Sequence, residues 1–533
     1  MKDNSQSDFT RNTNSPLYLL AIVFLILFST YARPQSLPNL VVTWRNYTVT
    51  KRRVNPQGEL KQKIDAVDKD LTEALRLGRN AEVRRQIAKG LTLLAGKEWT
   101  DELDFAGSLV LRSEHLFVDS TKPATVRLEQ IYSPSLQLEG PLSVPYVQSS
   151  LSARVSLCKP RIEVGIEGMG LPLQGCEVIK ELGTFDDLSR DLRESPFTAE
   201  VNLAGTVDGP YLIQAQVLNG ERSLGFAALG VVVAKGLDDA LDHLQNDAAK
   251  VPESLRPDVL YPVERVRNIN QGRIEMGSFD LVKELGASEA LVAAAKGGKD
   301  PFAGRTGDIK RHYFFAAAGE IMPYHLYLPS GYTPTRAFPL VVALHGLGVD
   351  EDSILIPHFK IPALADQHGF IVVAPLGYRV DGGYGAFPNG KRGQLSEQDV
   401  LEVMQRVRQT YKIDDSRIYL VGVSLGAIGT WALGAKHPEM WAALAPISGQ
   451  GSPASVERMR AIPEIVVHGD ADENVPVGGS RAMVAEMNKL HVEVKYIEVP
   501  GGNHFNVAGP NMAAIFDFFD AHKKGSGAPT SAR

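Results

Sequence analysis

Cysteine is scarce in this chain, with two residues in 533, Cys158 and Cys176. That number excludes a disulfide-rich scaffold, and the sequence has neither a Cys-x-x-Cys pair nor a His-Glu-x-x-His zinc helix. It also lacks the glycine-rich phosphate loop followed by lysine that many nucleotide-binding proteins carry. The net charge of −6 argues against a nucleic-acid partner, because such partners need a basic surface.

Long hydrophobic runs are also rare, and the longest uninterrupted one covers residues 17–28. It is shorter than the roughly 20 residues that a membrane-spanning helix needs. Polar residues with Lys2 and Arg11 precede it, and a Ser-Thr-Tyr-Ala sequence ending at Ala32 follows it. We therefore predict a signal peptide over residues 1–32 and an exported protein. The alternative is a retained signal anchor, which would attach the chain to a membrane.

Export would place both cysteines in an oxidising compartment. Cys158 and Cys176 lie in one β-rich stretch of the sequence, so we predict that they form a local disulfide. Two separate buried thiols are the alternative.

A glycine-flanked serine is the strongest sign of chemistry in the chain. Ser424 lies between Gly422 and Gly426, after the β-branched, apolar residues 417–421 and before the helix-like stretch 427–436. A serine between strand and helix with this spacing indicates a nucleophile elbow, a turn so sharp that side chains beside the serine do not fit. The next backbone N–H, that of Leu425, is then free to bind an oxyanion.

The partners that such a serine needs follow in the chain. Strand-like residues 465–467 precede two acids, Asp470 and Asp472, and strand-like residues 492–499 precede a glycine-rich loop with His504. A histidine can take the serine proton and return it to the leaving group, while a carboxylate orients the imidazole. The spacing leaves both acids open as candidates.

These segments resemble the esterase and predicted-peptidase branch of the α/β-hydrolases, which includes polyhydroxybutyrate-depolymerase-like and feruloyl-esterase-like enzymes. The resemblance covers about residues 304–523, and its specific residues are 417–427, Gly429-Thr430-Trp431 and 445–449. The acid loop of that family is His-Gly-x-x-Asp-x-x-Val-Pro, which implies Asp472 as the catalytic acid and leaves Asp470 as a loop cap. The family's His-Gly-x-Gly turn, here 345–348, implies Leu347 as the second oxyanion donor beside Leu425.

Other residues near these loops are predicted to have roles outside the catalytic triad. We expect His345 to be a structural hydrogen-bonding residue rather than a base, and the acidic run 350–352 to be solvated surface rather than a selector for cationic substrates. The long loop 375–395 carries Tyr384 and Phe387, which we predict to line the acyl or aryl pocket. The alternative is that these aromatics fix the loop to the core.

The pattern of apolar residues changes along the chain, from helical to strand-like spacing. Apolar residues at helical spacing predict two helices joined near Gly78, and Asn219-Gly220 predicts a hairpin in a β-rich region. The predicted units are a signal peptide 1–32, a helical region 33–108, a β-sandwich-like, immunoglobulin-like region 109–236, a helical linker 237–303, an α/β-hydrolase domain 304–525 and a flexible tail 526–533. The N-terminal units could bind substrate, cover the site or act as a packing scaffold, and we take scaffold as the default.

The sequence therefore predicts an α/β fold, with a mostly parallel sheet flanked by helices in the C-terminal domain. It predicts an exported serine hydrolase that cleaves small or polymeric carboxylic esters with Ser424, His504 and Asp472. No cofactor or metal ion is needed for this chemistry. A serine peptidase on the same fold is the alternative, and a binding protein with a vestigial hydrolase domain is the third hypothesis.

Overall fold

A computed structural model describes residues 40–135, 151–159, 177–277, 279–298, 301–387 and 390–525. The predicted signal peptide, Cys176 and the predicted tail 526–533 lie outside these ranges. Cys158 is buried, and its disulfide with Cys176 stays a prediction. Within the described ranges, no helix combines the length and the apolar character that a membrane span requires.

Four helices begin the described chain: α1 (Leu40–Val54), α2 (Gly58–Arg76), α3 (Asn80–Leu94) and α4 (Asp101–Ser108). The helices predicted on either side of Gly78 are confirmed as α2 and α3, because their apolar residues recur on one face and pack into a shared core. Gly78 has a positive φ of 66°, which suits the turn between them. Helix α1 lies within the predicted helical region 33–108, although no separate helix was predicted at its position.

Eight strands follow, in two sheets. They are β1 (Leu109–Ser113), β2 (Phe117–Asp119), β3 (Ala124–Gln130), β4 (Leu151–Lys159), β5 (Glu177–Leu188), β6 (Phe197–Val201), β7 (Gly209–Asn219) and β8 (Arg222–Ala234). One sheet has the order β1-β3-β6 and the other β2-β8-β7-β4-β5. Buried residues of both sheets form one apolar cluster. The predicted hairpin is present, with Asn219 opposite Arg222 across the turn at Gly220.

Three helices connect these sheets to the C-terminal domain: α5 (Leu237–Asp247), α6 (Arg256–Asn270) and α7 (Leu281–Lys296). Their helical character agrees with the predicted linker. The division of the whole chain into domains stays a prediction.

The C-terminal domain is built on an eight-stranded sheet. Its strands are β9 (Gly307–Phe315), β10 (Glu320–Leu328), β11 (Phe338–Leu344), β12 (Ile371–Pro375), β13 (Ile413–Val423), β14 (Ala443–Ile447), β15 (Glu464–Gly469) and β16 (Val494–Val499). Their order is β16-β15-β14-β13-β11-β12-β10-β9. The pairs β9–β10 and β10–β12 are antiparallel, and the other pairs are parallel.

Helices cover both faces of this sheet. They are α8 (Ile361–His368), α9 (Lys391–Thr410), α10 (Leu425–Lys436), α11 (Gly478–Lys489) and α12 (Ala508–Asp520). Strand β11 is buried throughout, and its successive side chains alternate between two apolar clusters. One cluster includes residues of α9, α10 and α11, and the other includes residues of α8 and α12. The sheet is thus the middle of three layers, as expected for a largely parallel sheet.

A buried glutamate lies inside this domain. Glu464 begins β15 and is fully buried, and its Oε2 accepts a hydrogen bond of 2.9 Å from Trp431 Nε1 on α10. Its Oε1 has no hydrogen-bond partner among the described residues. Burial raises the pKa of Glu464 to about 8, and the bond from Trp431 lowers it only in part. The carboxyl group is therefore neutral at pH 7 in the folded protein.

We predict that Glu464→Gln stabilises the protein increasingly as the pH rises. The folded pKa lies above the ordinary value of 4.5, so the folded state keeps a proton that the unfolded state loses. The contribution of this residue to the free energy of unfolding therefore falls as the pH rises from 4.5 towards about 8. Glutamine imitates the protonated acid without titrating. In this pH window, the free energy of unfolding of the variant should rise relative to that of the wild type by at most about 1.4 kcal/mol per pH unit. Urea unfolding at several pH values measures it, and a pH-independent difference would contradict it.

Candidate active site

Ser424 occupies the turn between β13 and α10. Its φ is 58° and its ψ is −114°, a conformation that a residue with a β-carbon rarely adopts. The Ser424 N–H donates to the carbonyl of Ile447 on the neighbouring strand β14 at 2.9 Å. This bond fixes the turn to the sheet and leaves the serine side chain half-buried at the carboxyl edge.

The two glycines beside Ser424 are required by close packing. A β-carbon on Gly422 would lie 2.2 Å from the carbonyl oxygen of Gly426, and one on Gly426 would lie 2.2 Å from that of Leu344. Neither distance is compatible with a side chain. The expectation that only glycine fits here is confirmed, and the start of α10 consequently touches the end of β11.

Ser424, His504 and Asp472 form a continuous hydrogen-bonded chain. His504 Nε2 is 2.9 Å from Ser424 Oγ, and His504 Nδ1 is 2.7 Å from Asp472 Oδ2. The three side chains come from the segments that follow β13, β16 and β15. The carboxyl ends of parallel strands lie at the same edge of the sheet. Residues that are far apart in sequence therefore meet at this edge.

The Asp472 carboxylate is buried and well supplied with donors. Its Oδ1 accepts N–H groups from Asn474 at 2.9 Å and Val475 at 2.8 Å. Burial by itself would raise the pKa of Asp472, but hydrogen bonds from His468 and His504 and the amide of Val475 outweigh burial and leave that pKa below its ordinary value. The carboxylate is therefore ionised at neutral pH.

Asp470 has a different environment. Its side chain is exposed, and its Oδ1 accepts the N–H of Gly501 at 2.7 Å. Gly501 belongs to the loop that carries His504, so Asp470 caps that loop. Of the two acids that the sequence left open, Asp472 is the one that contacts His504.

His468 is a neighbour of Asp472 to which the sequence assigned no role. Its Nε2 lies 3.3 Å from Asp472 Oδ2, and its Nδ1 lies 2.7 Å from Ser480 Oγ. The imidazole is fully buried. The only sequence signal was its position as the first residue of the His-Gly-x-x-Asp loop, four residues before the acid.

The turn after β11 approaches the nucleophile. A β-carbon on Gly346 would lie 3.6 Å from Ser424 Cβ. Among the described residues, neither the Leu347 N–H nor the Leu425 N–H donates to a backbone carbonyl outside regular helices and strands. Both amides can therefore serve an oxyanion at Ser424. His345 is buried, and its two ring nitrogens each lie 2.8 Å from a carbonyl oxygen, of Gly346 and Leu376, so it is a structural residue as expected.

Tyr384 was predicted to line the acyl or aryl pocket, with fixing the loop to the core as the alternative. It is 1% exposed and its hydroxyl donates to the His345 carbonyl at 3.2 Å, which favours the alternative. Its ring packs where β-carbons on Gly377 or Gly429 would have to lie. Tyr384 therefore supports the oxyanion turn from behind. Phe387 is partly buried, and its pocket role stays a prediction.

The acidic run 350–352 also differs from expectation. Glu351 is 2% exposed, and the Lys310 ammonium on β9 lies 3.1 Å from Glu351, 2.8 Å from Asp352 and 3.2 Å from Glu284 of α7. The prediction of solvated surface was wrong, because Lys310 and Glu284 are too far away in sequence to be anticipated. This cluster ties the segment after the oxyanion turn to β9 and α7.

Part of this chain is similar to known esterases. Residues 316–495 match the family model described as putative esterase. The chain is 32% identical over 150 residues to the bifunctional acetylxylan esterase/xylanase XynS20E of Neocallimastix patriciarum, covering 28% of this chain and 21% of the relative. It is 34% identical over 128 residues to poly(3-hydroxyalkanoate) depolymerase C of Paucimonas lemoignei, covering 23% of this chain and 30% of the relative.

The chain thus spans between about a fifth and a third of the length of these two relatives. Among solved structures, a ferulic acid esterase from Anaeromyces mucronatus is 20% identical, with a TM-score of 0.34 over 42% of this chain and 93% of that one. The predicted α/β fold class is confirmed by the sheet of the C-terminal domain. The match of residues 316–495 and the similarity to the two relatives support the predicted enzyme class, an esterase.

Proposed function

We propose that this protein is an exported serine hydrolase that cleaves carboxylic esters through an acyl-enzyme. The observation that carries the proposal is the chain of hydrogen bonds from Ser424 through His504 to Asp472, with distances of 2.9 Å and 2.7 Å. It starts on a strained turn at the carboxyl edge of the sheet, where ligands of such folds bind.

In the first step, Ser424 Oγ attacks the ester carbonyl carbon while His504 Nε2 takes the hydroxyl proton. Asp472 accepts from the other ring nitrogen, which fixes the tautomer and stabilises the imidazolium. The carbonyl oxygen becomes an oxyanion, and the amides of Leu425 and Leu347 donate to it. Leu425 is the first residue of α10, so the positive end of the helix dipole also favours this charge.

In the second step, the tetrahedral intermediate collapses and His504 gives its proton to the departing alcohol. The acyl group stays on Ser424. Water then repeats the attack with His504 as base, which releases the acid and restores the serine. The residues of the chain supply every proton transfer in this sequence.

The surroundings of His504 favour an apolar substrate group. Phe505 is 40% exposed, and its ring centroid lies 5.2 Å from that of His504. Phe505 therefore offers an apolar surface beside His504 to the acyl or alcohol group of a small or polymeric ester. The names of the relatives, an acetylxylan esterase and a polyhydroxyalkanoate depolymerase, support an ester substrate.

Ser424→Ala should abolish hydrolysis of a short-chain aryl ester, with a loss of at least about a thousandfold in kcat. Alanine keeps the β-carbon and removes only the nucleophile, so the melting temperature should change little. Ser416→Ala is the matched control, because Ser416 lies near the other end of the same strand and bonds to Asp414. Turnover by Ser424→Ala at the wild-type rate would contradict the assignment and favour a non-catalytic role.

Asp472→Asn should lower kcat by about a hundredfold to ten-thousandfold, because an amide favours the wrong tautomer of His504. Asp470→Asn should lower kcat by less than about fivefold, since the asparagine side chain can still accept a hydrogen bond from the Gly501 N–H. Both rates are measured with the same aryl ester. A larger loss in Asp470→Asn would reverse the assignment of the acid.

A panel of aryl esters, triglycerides, feruloyl sugars, polyhydroxybutyrate and aminoacyl amides tests the substrate class. We expect turnover of the esters and none of the amides, with every activity lost in Ser424→Ala. Cleavage of aminoacyl amides at rates comparable with the esters would instead support the peptidase alternative, since both reactions pass through the same type of intermediate.

A further inference from the structure

Helix α1 reaches the loop that carries the catalytic acid. Arg52, near its carboxyl end, donates from Nη1 to the carbonyl oxygen of Glu473 at 2.7 Å and to that of Asn474 at 3.3 Å. The two partners are separated by more than 400 residues in sequence. A segment outside the esterase family match therefore contacts the acid loop directly.

The two carbonyls that Arg52 contacts belong to the peptide groups that bind Asp472. The Glu473 carbonyl and the Asn474 N–H are the two ends of one planar peptide group, and the Asn474 carbonyl and the Val475 N–H are the ends of the next. Those N–H groups donate to Asp472 Oδ1 at 2.9 Å and 2.8 Å. A cation at the carbonyl end of a peptide group polarises the N–H at its other end and strengthens the bond that it donates.

We infer that Arg52 is a positioning residue for the proposed triad: its guanidinium, acting through two peptide groups, fixes the Asp472 carboxylate against His504. Helix α1 thereby completes the active site of a domain that begins more than 250 residues later. The inference rests on the proposed function, because it assigns Arg52 a part in the same reaction.

The base from which Arg52 extends is fixed. Tyr47 is 2% exposed, its hydroxyl donates to Asp68 Oδ1 on α2 at 2.8 Å, and Lys51 forms an ion pair with the same carboxylate. A β-carbon on Gly90 of α3 would lie 2.4 Å from the Tyr47 ring. The helix is thus anchored to α2 and α3, so packing sets the position of the backbone from which the exposed Arg52 side chain extends.

A second arginine on α1 lies near the same carboxylate. Arg45 precedes Arg52 by about two helical turns, which places both residues on one side of the helix. Burial lowers the pKa of Arg45, and the negative charge of Asp472 partly offsets that lowering. The side of α1 that carries Arg45 and Arg52 therefore faces the acid loop.

The test compares Arg52→Gln, Arg52→Lys and the control Arg76→Gln in the full-length protein, with an aryl acetate as substrate. Arg76 is an exposed arginine of α2 that pairs with Glu73, so its variant removes the same charge from the same helical unit. We expect Arg52→Gln to lower kcat by about three- to tenfold, the effect of one hydrogen bond, with KM within twofold.

The acid limb of the kcat/KM profile should also move to higher pH by a few tenths of a unit in Arg52→Gln. Removing a cation near Asp472 favours the protonated, inactive form of His504. Arg52→Lys keeps the charge but has a shorter side chain that reaches the two carbonyls less well, so it should restore the acid limb to its wild-type pH and restore only part of kcat. Arg76→Gln should match the wild type both in kcat and in the pH of the acid limb.

Ser424→Ala in the same assay separates the two ideas. If that variant is inactive while Arg52→Gln has wild-type kcat, or a lower kcat with an unmoved acid limb, the role of Arg52 is wrong and the proposed function stands. If Ser424→Ala keeps wild-type turnover, the proposed function fails, and the inference fails with it.

Discussion

The contact between the first turn of α10 and the end of β11 is the constraint on which the site depends. It exists because Gly426 has no side chain, so that its Cα comes against the carbonyl of Leu344. Any β-carbon there would push the helix away from the strand. The nucleophile and the oxyanion turn would then separate, since Ser424 precedes α10 and the turn follows β11. The strained φ of Ser424 is the cost of this approach, and the bond from its N–H to Ile447 helps to maintain it.

The positions of the other two proposed catalytic residues, Asp472 and His504, are set by the sheet and not by the loops alone. Strand β14 lies between β13 and β15, and β16 lies beyond β15, so Ser424, Asp472 and His504 arise from a set of consecutive parallel strands. Their spacing across the edge is set by the strand separation. The loops then need only small adjustments, such as the Asp470 cap on the Gly501 amide and the donors to Asp472 from Asn474 and Val475.

The parts of the site that were predictable are those with a local pattern. A strand, a glycine-flanked serine and a helix occur within a few residues, and so does the His-Gly-x-x-Asp loop. The two roles predicted for Tyr384 could not be separated from the sequence, because the space for its ring is created by Gly377 and Gly429, the second of which lies on another element. The acidic run was misjudged because Lys310 pairs with Glu351 and also with a distant carboxylate, that of Glu284. Ion pairs between segments distant in the chain leave no periodic signal in the sequence.

The segments before the esterase family match contact the two loops on either side of the proposed nucleophile. Glu284 of α7 joins the Lys310 cluster, which also includes Glu351, close to the oxyanion turn. Arg52 of α1 contacts the acid loop on the other side of the nucleophile. A buried ammonium among carboxylates requires all its partners, because removing one changes the balance between desolvation and attraction. These contacts favour the scaffold role over the two alternatives for the N-terminal segments, substrate binding and covering of the site. Two contacts with the loops that flank Ser424 are what a bracing role requires.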